Sequence, residues 1–503
     1  MKIDQDTKGL DKHDPFKSRH AFDDTFINKQ RTIDSPSSTA TIVDDLTSNL
    51  FLAAAAKFDA ILTKGDVKDA YAKGTKINRG VSYMSLPSTL PMVDEDGDEL
   101  CIELTSPMWG ESEAGYEWQC TFNSALEAMG WKPCEGVPAM FRYEDATGVA
   151  HMITCVDDFL MSDRGDGSIT AATTAAIKAA FDGEVKLDYD PTSFLGRRIT
   201  RDRERRTLKV SMPLKVEEAV LEHLPDLAAG KSLGLPPAKQ VLDMADSMTL
   251  APRAPGAKLT SEQSRTQQIL GSLKFIEKVM PRISLVVHRL SCVMSSPPPE
   301  ALVVAKAALA MAYKERHVGV TYGGDGPTDD SRLSGRLSAN ISLDEPAAAT
   351  LEASADATWG ERNLYGLLVT YNRATVLFMV KKIQLLVDSS HEAEAIGTSK
   401  VAEEVSYARE VLRALDDAPE HPTIVLTDNK ANALVAADAR SASRSKHFLR
   451  RYVTLQQRIA SAELIVVKVE DANMPSDFLT KWLPSAKLRK SVAYATNSQT
   501  RAP

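Results

Sequence analysis

The chain has 503 residues, of which 43% are hydrophobic and 25% charged, and its formal net charge is −8. The length predicts about three domains, and this composition is typical of a folded, soluble protein. No run approaches the ~18 consecutive apolar residues of a membrane span, and the N-terminus has no apolar signal core. We therefore expect an intracellular protein with no membrane partner.

The spacing of the cysteines and two runs of basic residues bear on which classes of protein this chain can belong to. The five cysteines are widely spaced and include no Cys-x-x-Cys pair, which predicts reduced thiols and argues against a disulfide framework or a zinc site. Against the acidic net charge, residues 197–209 and 440–451 are rich in lysine and arginine. Either run could bind a phosphate backbone, or be no more than a solvated basic surface.

The first half of the chain predicts helices and short strands. Residues 1–40 are polar without clear periodicity, which favours a ragged or truncated start. An apolar run after Thr41 predicts a helix, followed by a strand that ends near Asp66. Helical spacing recurs over 118–129, with Gly130 as the stop. Two strands joined at a turn are predicted next, at 149–156 and 159–161.

The second half begins with helices and ends with a mixed pattern. A helix at 216–224 precedes a stretch at 225–264, rich in Pro, Ala, Gly and Lys, that resembles a connector. Further helices are predicted at 269–280, 283–294 and 300–313, before a loop-like stretch at 323–346. Strands are then predicted at 365–371, 375–380 and 383–387, a helix at 392–415, and strands at 423–426 and 464–469. Three strands, helix, strand, helix, strand predicts a compact α/β unit.

Asp66, Asp157 and Asp158 form a first candidate acid group. A strand end and a hairpin tip can bring carboxylates together, and paired divalent ions that run phosphoryl transfer need several of them. From spacing alone, Asp66 also fits a helix cap or turn residue. The Asp157-Asp158 pair likewise fits an ordinary polar turn.

Motifs across most of the chain resemble those of copia-type LTR-retrotransposon reverse transcriptases. Residues 65–74 resemble the Asp-Val-Lys-x-Ala-Phe/Tyr-x-x-Gly motif, and residues 155–158 resemble the Tyr-Val-Asp-Asp box. Residues 193–196 resemble the Phe-Leu-Gly segment that follows, and 269–283 the Gly-Ser-Leu and Arg-Pro-Asp-Ile region. The match runs in order from about residue 20 to residue 490.

The resemblance implies roles for the first acid group and its neighbours. Asp66, Asp157 and Asp158 would hold two Mg²⁺ ions, with Mn²⁺ as an alternative, for DNA synthesis on RNA or DNA templates. Tyr71 would stack under the sugar of the incoming deoxynucleotide, or alternatively fill the core of the palm. The end of the primer would be supported by Phe194, Leu195 and Gly196. The same three residues fit a plain turn equally well.

A second acid group resembles the ribonuclease H motifs of the same family. The matching segments are residues 355–359, 389–394, 427–429 and 476–481. The resemblance implies that two bound Mg²⁺ ions take part in cleavage of the RNA strand of an RNA/DNA hybrid. Their ligands would be Asp356, Glu394, Asp428 and Asp477. Glu392 is interpreted as a first-turn helix acid rather than a ligand. Positive charge that binds phosphate would be supplied by Arg444, Lys446 and His447. Alternatively, these residues belong only to a solvated loop.

The chain departs from the family between the two polymerase motifs. Glu113 stands where the family has Gln, and Tyr116 where it has Arg. These exchanges add negative charge beside an anionic triphosphate, so they predict weaker nucleotide binding at Glu113. Cys155 replaces the aromatic residue before Val-Asp-Asp, which predicts a loss of packing. Only residues 17–19 and 53–57 match the family's fingers.

The resemblance implies an α/β and α+β multidomain protein. Its expected parts are an N-terminal segment at 1–40, right-hand polymerase fingers and palm at 41–235, a helical thumb or connection at 236–345, a ribonuclease H-like α/β domain at 346–485, and a tail at 486–503. Expected partners are an RNA template, a DNA primer, the hybrid, deoxynucleoside triphosphates and other products of the same polyprotein. The expected location is a cytoplasmic virus-like particle or the nucleus. The alternatives are a remnant that only binds nucleic acid, or one that keeps only the nuclease.

Overall fold

The structure is a computed structural model that describes residues 2–4, 19–21, 40–75, 82–85, 92–111, 113–254, 256–324, 350–360, 362–430, 432–433 and 449–498. The chain divides into two compact units, Met1–Asp44 with Ala60–Pro191, and Asp45–Asp59 with Thr192–Pro503. The five-part division expected from the sequence stays a prediction. The predicted phosphate-binding residues Arg444, Lys446 and His447 lie outside the described residues, as do most of segment 1–40 and of the basic run 440–451.

The first unit is built on a six-stranded antiparallel sheet in the order β10-β3-β9-β8-β7-β6. The strands of the unit are β1 (Lys2–Asp4), β2 (Arg19–Ala21), β3 (Ile61–Val67), β4 (Ser82–Ser85), β5 (Cys101–Leu104), β6 (Lys132–Pro133), β7 (Met140–Asp145), β8 (Gly148–Cys155), β9 (Asp158–Asp163) and β10 (Val185–Tyr189). Its helices are Ala70–Lys73, Ala114–Ala128 and Ser168–Ala180. Strands β1 and β2 pair separately, as do β4 and β5.

Side-chain alternation explains how this sheet is covered. Met152 on β8 and Phe159 and Met161 on β9 are fully buried in one apolar cluster. Trp118 from the helix Ala114–Ala128 and Ile177 from the helix Ser168–Ala180 belong to the same cluster. Since residues two apart in a strand share a face, the two helices cover one face of the sheet.

The second unit contains two sheets and most of the helices. Its strands are β11 (Ser193–Phe194), β12 (Arg197–Asp202), β13 (Thr207–Ser211), β14 (Val320–Gly323), β15 (Glu352–Thr358), β16 (Leu364–Tyr371), β17 (Ala374–Lys382), β18 (Thr423–Thr427) and β19 (Leu464–Lys468). Its helices are Asp45–Lys57, Pro213–His223, Pro225–Ala228, Ala238–Ser247, Ser261–Glu277, Ser284–Cys292, Pro299–Lys314, Ser390–Ala414, Leu449–Ala460 and Ser485–Thr496, with 3₁₀ turns at Pro281–Ile283, Asp471–Asn473 and Pro475–Leu479. The larger sheet has the order β17-β16-β15-β18-β19. Its first three strands are antiparallel, whereas β15, β18 and β19 run parallel.

A helical cluster fills the middle of the second unit's sequence. Ile269, Leu273, Leu290 and Leu309 are buried in it. The helix Ser261–Glu277 begins with a capping box, in which Thr260 and Gln263 exchange side-chain and backbone hydrogen bonds. Among the described residues, no helix combines the length and the apolar character that a membrane crossing requires.

The succession of three strands, helix, strand, helix, strand in the last third is confirmed, but its members differ from the prediction. Residues 383–387 are not a strand, and the missed first strand is β15, Glu352–Thr358. The sequence of β15, Glu-Ala-Ser-Ala-Asp-Ala-Thr, is poor in β-formers, and its central position in the sheet overrides that weak propensity.

Two stretches that were predicted to be a connector and a tail contain helices. The expected connector 225–264 includes the helix Ala238–Ser247, because Val241 and Ala245 are buried in the helical cluster. The expected tail 486–503 contains most of the helix Ser485–Thr496, which buries Tyr494 and Ala495. Tertiary burial rather than local propensity accounts for both helices.

Two candidate carboxylate sites

The first acid group lies at the edge of the first unit's sheet where β3 and β8 end and β9 begins. Asp66 on β3 is directly opposite Asp158, the first residue of β9. Cys155 pairs with Asp158 across the β8–β9 hairpin, so Val156 and Asp157 form a two-residue loop. Cross-strand neighbours have Cβ atoms about 4.5–5.5 Å apart, so this register brings Asp66 and Asp158 together.

The hairpin loop is held in an unusual conformation. Val156 has a φ of 57°, which is rare for a β-branched residue. The indole Nε1 of Trp118 donates a hydrogen bond to the carbonyl of Val156 at 2.7 Å. The backbone N–H of Val67 donates to the carbonyl of Asp157 at 3.0 Å. These two hydrogen bonds offset the local backbone strain and fix the position of the Asp157 backbone, from which its carboxylate side chain projects.

A cleft of about 830 Å³ opens at this edge of the sheet. Its lining includes Asp66, Asp157, Tyr71 and Trp109, and the ring centroids of Tyr71 and Trp109 are 6.0 Å apart. Burial raises the pKa of the Tyr71 hydroxyl, and the charge of Asp157 adds to the rise. Glu113, which was predicted to be near the nucleotide, is buried at the N-cap position of the helix Ala114–Ala128 and is not one of the residues that line the cleft.

Asp158 forms an ion pair with a lysine of the neighbouring strand β3. The Nζ atom of Lys64 lies 3.1 Å from Oδ1 of Asp158. Burial raises the pKa of Asp158, the ion pair with Lys64 opposes the rise, and the charges of Asp66 and Asp157 add to it. The sequence reasoning missed Lys64, because only the β3–β9 pairing brings it to the acid group.

The second acid group is assembled from four different elements of the second unit. Asp356 lies within β15, Glu394 in the first turns of the helix Ser390–Ala414, Asp428 directly after β18, and Asp477 in the 3₁₀ turn Pro475–Leu479. Strands β15 and β18 are parallel neighbours. The sequence placed Asp356 before the strands, and the structure corrects that position.

Ligand atoms of these acids converge in two overlapping sets. One oxygen each of Asp356, Glu394 and Asp428 lie within 4.8 Å of one another, and so do oxygens of Asp428, Asp471 and Asp477. Among the described residues, Asp66, Asp157 and Asp158 do not form such a set. Asp471 was not predicted, because no motif residue marks it and only the fold brings it beside Asp477.

The two most buried acids are already held by neighbouring donors. The hydroxyl of Thr480 donates a hydrogen bond to Oδ2 of Asp356, and Nζ of Lys481 lies 3.1 Å from Oδ1. Asp477 pairs with Lys481 at 3.4 Å and, through Oδ2, with Lys487. Thr480 and Lys481 lie inside the quoted motif, but Lys487 comes from the C-terminal helix and was missed.

Glu394 differs, since part of its carboxylate has no donor. Its Oε1 atom accepts a hydrogen bond from the backbone N–H of Ala357 at 3.3 Å. Its Oε2 atom is buried and has no hydrogen-bond partner among the described residues. A buried carboxylate oxygen in that state is costly unless a proton or a cation satisfies it.

Burial controls the protonation of this group. It raises the pKa of Asp356 to about 7 and that of Glu394 to about 9, and the neighbouring acids contribute to both rises. Burial also raises the pKa of Asp477. For Lys481, burial lowers the pKa, but the attraction to Asp356 and Asp477 outweighs burial and raises it overall. Carboxylates this close cannot all ionise cheaply without a cation.

Both donor sets consist of carboxylate oxygens, which Mg²⁺ and Mn²⁺ prefer. In the second site, Glu394 Oε2 is an orphaned buried oxygen, and one carboxylate oxygen of Glu394 lies within 4.8 Å of oxygens of Asp356 and Asp428. The residues of the second site therefore fit a divalent ion. Glu392 takes no part in the two sets: its backbone N–H donates to Ser389 Oγ, and its Oε2 accepts from the N–H of Asp388, so it caps the helix.

The predicted primer-end residues lie in the second unit, whereas the first acid group lies in the first unit. Phe194 is buried on β11, and Leu195 and Gly196 both have positive φ values, 47° and 73°. They form the tight turn from β11 to β12. This geometry agrees with the turn alternative and does not test a role at a primer.

The fold and the sites define a mixed α/β protein with carboxylate groups on two separate sheets. No model of a known protein family matches the chain. The chain is 25% identical over 423 residues to the retrovirus-related Pol polyprotein from transposon RE1 of Arabidopsis thaliana, which covers 83% of this chain and 26% of that protein. It is 22% identical over 467 residues to the corresponding polyprotein from transposon TNT 1-94 of Nicotiana tabacum, covering 92% of this chain and 33% of that protein.

These relatives confirm the resemblance predicted from the motifs: homologues of this chain are Pol polyproteins of copia-type retrotransposons. The chain spans about a quarter to a third of the length of these curated relatives. Among solved structures, the foamy viral protease-reverse transcriptase in complex with RNA/DNA hybrid is similar with a TM-score of 0.41 and 11% identity, covering 92% of this chain and 49% of that one. LC11-RNase H1 in complex with RNA/DNA hybrid has a TM-score of 0.21 and 12% identity, covering 26% and 93%.

Proposed function

We propose that this chain is a reverse transcriptase with an associated ribonuclease H. The first unit would extend a DNA primer on an RNA or DNA template, and the second would cleave the RNA strand of the resulting hybrid. The substrates would be deoxynucleoside triphosphates and nucleic acid. Other products of a longer polyprotein, and a location in a cytoplasmic particle or the nucleus, belong to the same proposal.

The observation that carries the proposal is the presence of two separate carboxylate groups in the order of the family's motifs. The first lies at the β8–β9 hairpin and the second around Asp428. A single acid cluster has many explanations. Two clusters, each at the position of the matching family motif, favour a two-activity enzyme over a protein with one unrelated metal site.

Each residue set would contribute positioning and charge. The ions of the polymerase reaction would be held by Asp66, Asp157 and Asp158. Those of the nuclease reaction would be held by Asp356, Glu394, Asp428 and Asp477. Bound divalent ions would lower the pKa of the attacking hydroxyl or water and stabilise the leaving oxygen. Tyr71 and Trp109 line the same cleft as Asp66 and Asp157, where they would pack against a nucleotide.

Primer extension on an RNA template tests the polymerase half. The wild-type chain with Mg²⁺ is expected to add deoxynucleotides, and Asp157→Asn to lose extension, because one carboxylate in the cleft is neutralised. Asp182→Asn, at an exposed aspartate of the first unit with a positive φ that asparagine also tolerates, is the matched control and should keep extension. No extension above the Asp157→Asn background would contradict the polymerase assignment.

A chain that retains only the nuclease is the second candidate. It is favoured by the contrast between the sites: among the described residues, the acids around Asp428 form two sets of three with oxygens within 4.8 Å of one another, and the first group forms no such set. Hybrid cleavage that is lost in Asp428→Asn, together with no extension by any variant, would select this alternative.

A further inference from the structure

Lys64 places an ammonium group beside the first acid group. It lies two residues before Asp66 on β3, and residues two apart in a strand point to the same face. Its Nζ atom is 3.1 Å from Oδ1 of Asp158, and the two side chains are only 23% and 24% exposed. This ion pair is therefore only partly exposed to water. At such a site opposite charges attract each other more strongly than at a fully exposed site.

The pair separates Asp158 from the other two acids. Asp66 and Asp157 line the cleft of about 830 Å³, but Asp158 is not among its lining residues. The three carboxylates also fail to bring one oxygen each within 4.8 Å of one another, which the acids of the second unit achieve. Asp356 and Asp477 of the second site also pair with lysines, so a lysine partner alone does not explain this difference. In the first site, however, the lysine holds the one acid of the three that does not line the cleft.

Packing beneath the pair fixes its register. A Cβ atom on Gly65 would lie 2.0 Å from the ring of Phe159, so the ring sits directly against the backbone between Lys64 and Asp66. Gly65 and Phe159 are also register partners across β3 and β9. A shift of these strands would force the ring into the backbone, and Lys64 therefore stays within reach of Asp158.

We propose that Lys64 is a positioning residue that occupies Asp158 and competes with a divalent cation for that carboxylate. The inference rests on the proposed function of the first site as a metal site. An ammonium and a divalent ion on one carboxylate repel each other, so the ion must displace Lys64 or bind to Asp66 and Asp157 alone. Removing the ammonium should tighten ion binding on the order of three- to tenfold, the range expected for a partly exposed ion pair.

Mn²⁺ binding to the full chain, measured by the electron paramagnetic resonance signal of the free ion, tests this competition. All variants carry Asp428→Asn, so that ions at the second site contribute less. Lys64→Met should bind Mn²⁺ more tightly than the parent. Lys178→Met, on an exposed lysine of the helix Ser168–Ala180, is the matched control and should leave the affinity unchanged.

A double-mutant cycle separates competition from a general charge effect. Asp158→Asn should weaken Mn²⁺ binding less while Lys64 is present than in the Lys64→Met background. Unchanged or weaker binding in a folded Lys64→Met chain would overturn the competition alone. No Mn²⁺ binding at the first site in any variant would overturn both the competition and the proposed metal site. Tighter binding in Lys64→Met without primer extension would support the competition and count against the polymerase.

Discussion

Glu394 carries the least satisfied oxygen of the second site. Its Oε2 atom is buried without a hydrogen-bond partner among the described residues, whereas Asp356 and Asp477 each contact lysine or threonine donors. Burial raises the pKa of Glu394 to about 9 and that of Asp356 to about 7. A proton on Glu394 and a divalent ion among these acids are therefore alternative ways to stabilise the same carboxylate.

This competition predicts a pH dependence with a definite sign. Between the usual carboxyl pKa and about 9, the folded metal-free chain holds a proton on Glu394 that the unfolded chain has released. Stability in EDTA should therefore fall as pH rises through this window, and ion affinity should rise by up to about tenfold per pH unit. Thermal melts in EDTA and in Mg²⁺ from pH 5.5 to 9 measure both effects.

Glu394→Gln is the control for that series, since it removes the titrating group and keeps the shape of the side chain. The variant should lose most of the pH slope that separates the EDTA and Mg²⁺ melts between about pH 7 and 9, because Asp356, with a pKa of about 7, contributes mainly below that range. If wild type and Glu394→Gln gave the same slope, the proton assigned to Glu394 would be somewhere else.

At the scale of elements, the contact between β3 and β9 decides how the first acid group is built. Gly65 lies under the ring of Phe159, where a Cβ would come within 2.0 Å of a ring carbon. The same strand pair sets Asp66 opposite Asp158. The packing of one glycine and the position of two carboxylates therefore depend on the same register.

Gly65→Ala should destabilise the chain by about 1–3 kcal/mol, because the new methyl group overlaps the Phe159 ring. Urea denaturation gives the change, and Phe159→Leu in the same chain should recover part of it. Gly271→Ala is a control for the substitution itself: no atom lies within 4 Å of its Cβ position and it lies inside a helix, so it should stabilise slightly. A neutral Gly65→Ala would show that the ring moves aside freely.

The helix Ser485–Thr496 is a structural part of the second site. Tyr494 is buried and donates a hydrogen bond to Glu352 on β15, and Lys487 pairs with Asp477. Deleting residues 485–503 should therefore expose the apolar cluster around Phe478 and Leu479, and lower the melting temperature sharply. Deletion of 499–503 alone is the control and should be neutral. Equal melting temperatures for both deletions would contradict this role.

For the whole molecule, periodicity and motif order predicted the arrangement of the last third, and placed Asp428 and Asp477 after strands. The sequence could not predict β15, because small and acidic residues form a strand there only when a sheet surrounds them. It also missed Lys64, Asp471 and Lys487. These residues reach the acids through strand pairing or chain folding, and no local pattern records such contacts.

Under the proposed function, the division into two units predicts that the two activities are separable within one chain. Each acid group lies wholly inside one unit, so a substitution in one group should leave the other group's geometry intact. Effects of such distant substitutions are generally additive. A one-activity protein would not show this independence.

The most direct test follows both reactions on one substrate, a labelled DNA primer annealed to a differently labelled RNA template, with Mg²⁺. Wild type should extend the primer and cut the RNA. Asp157→Asn should lose extension and keep cleavage, and Asp428→Asn should lose cleavage and keep extension. Neither product from the wild-type chain, or loss of both products in either single variant, would contradict the account of two independent carboxylate sites.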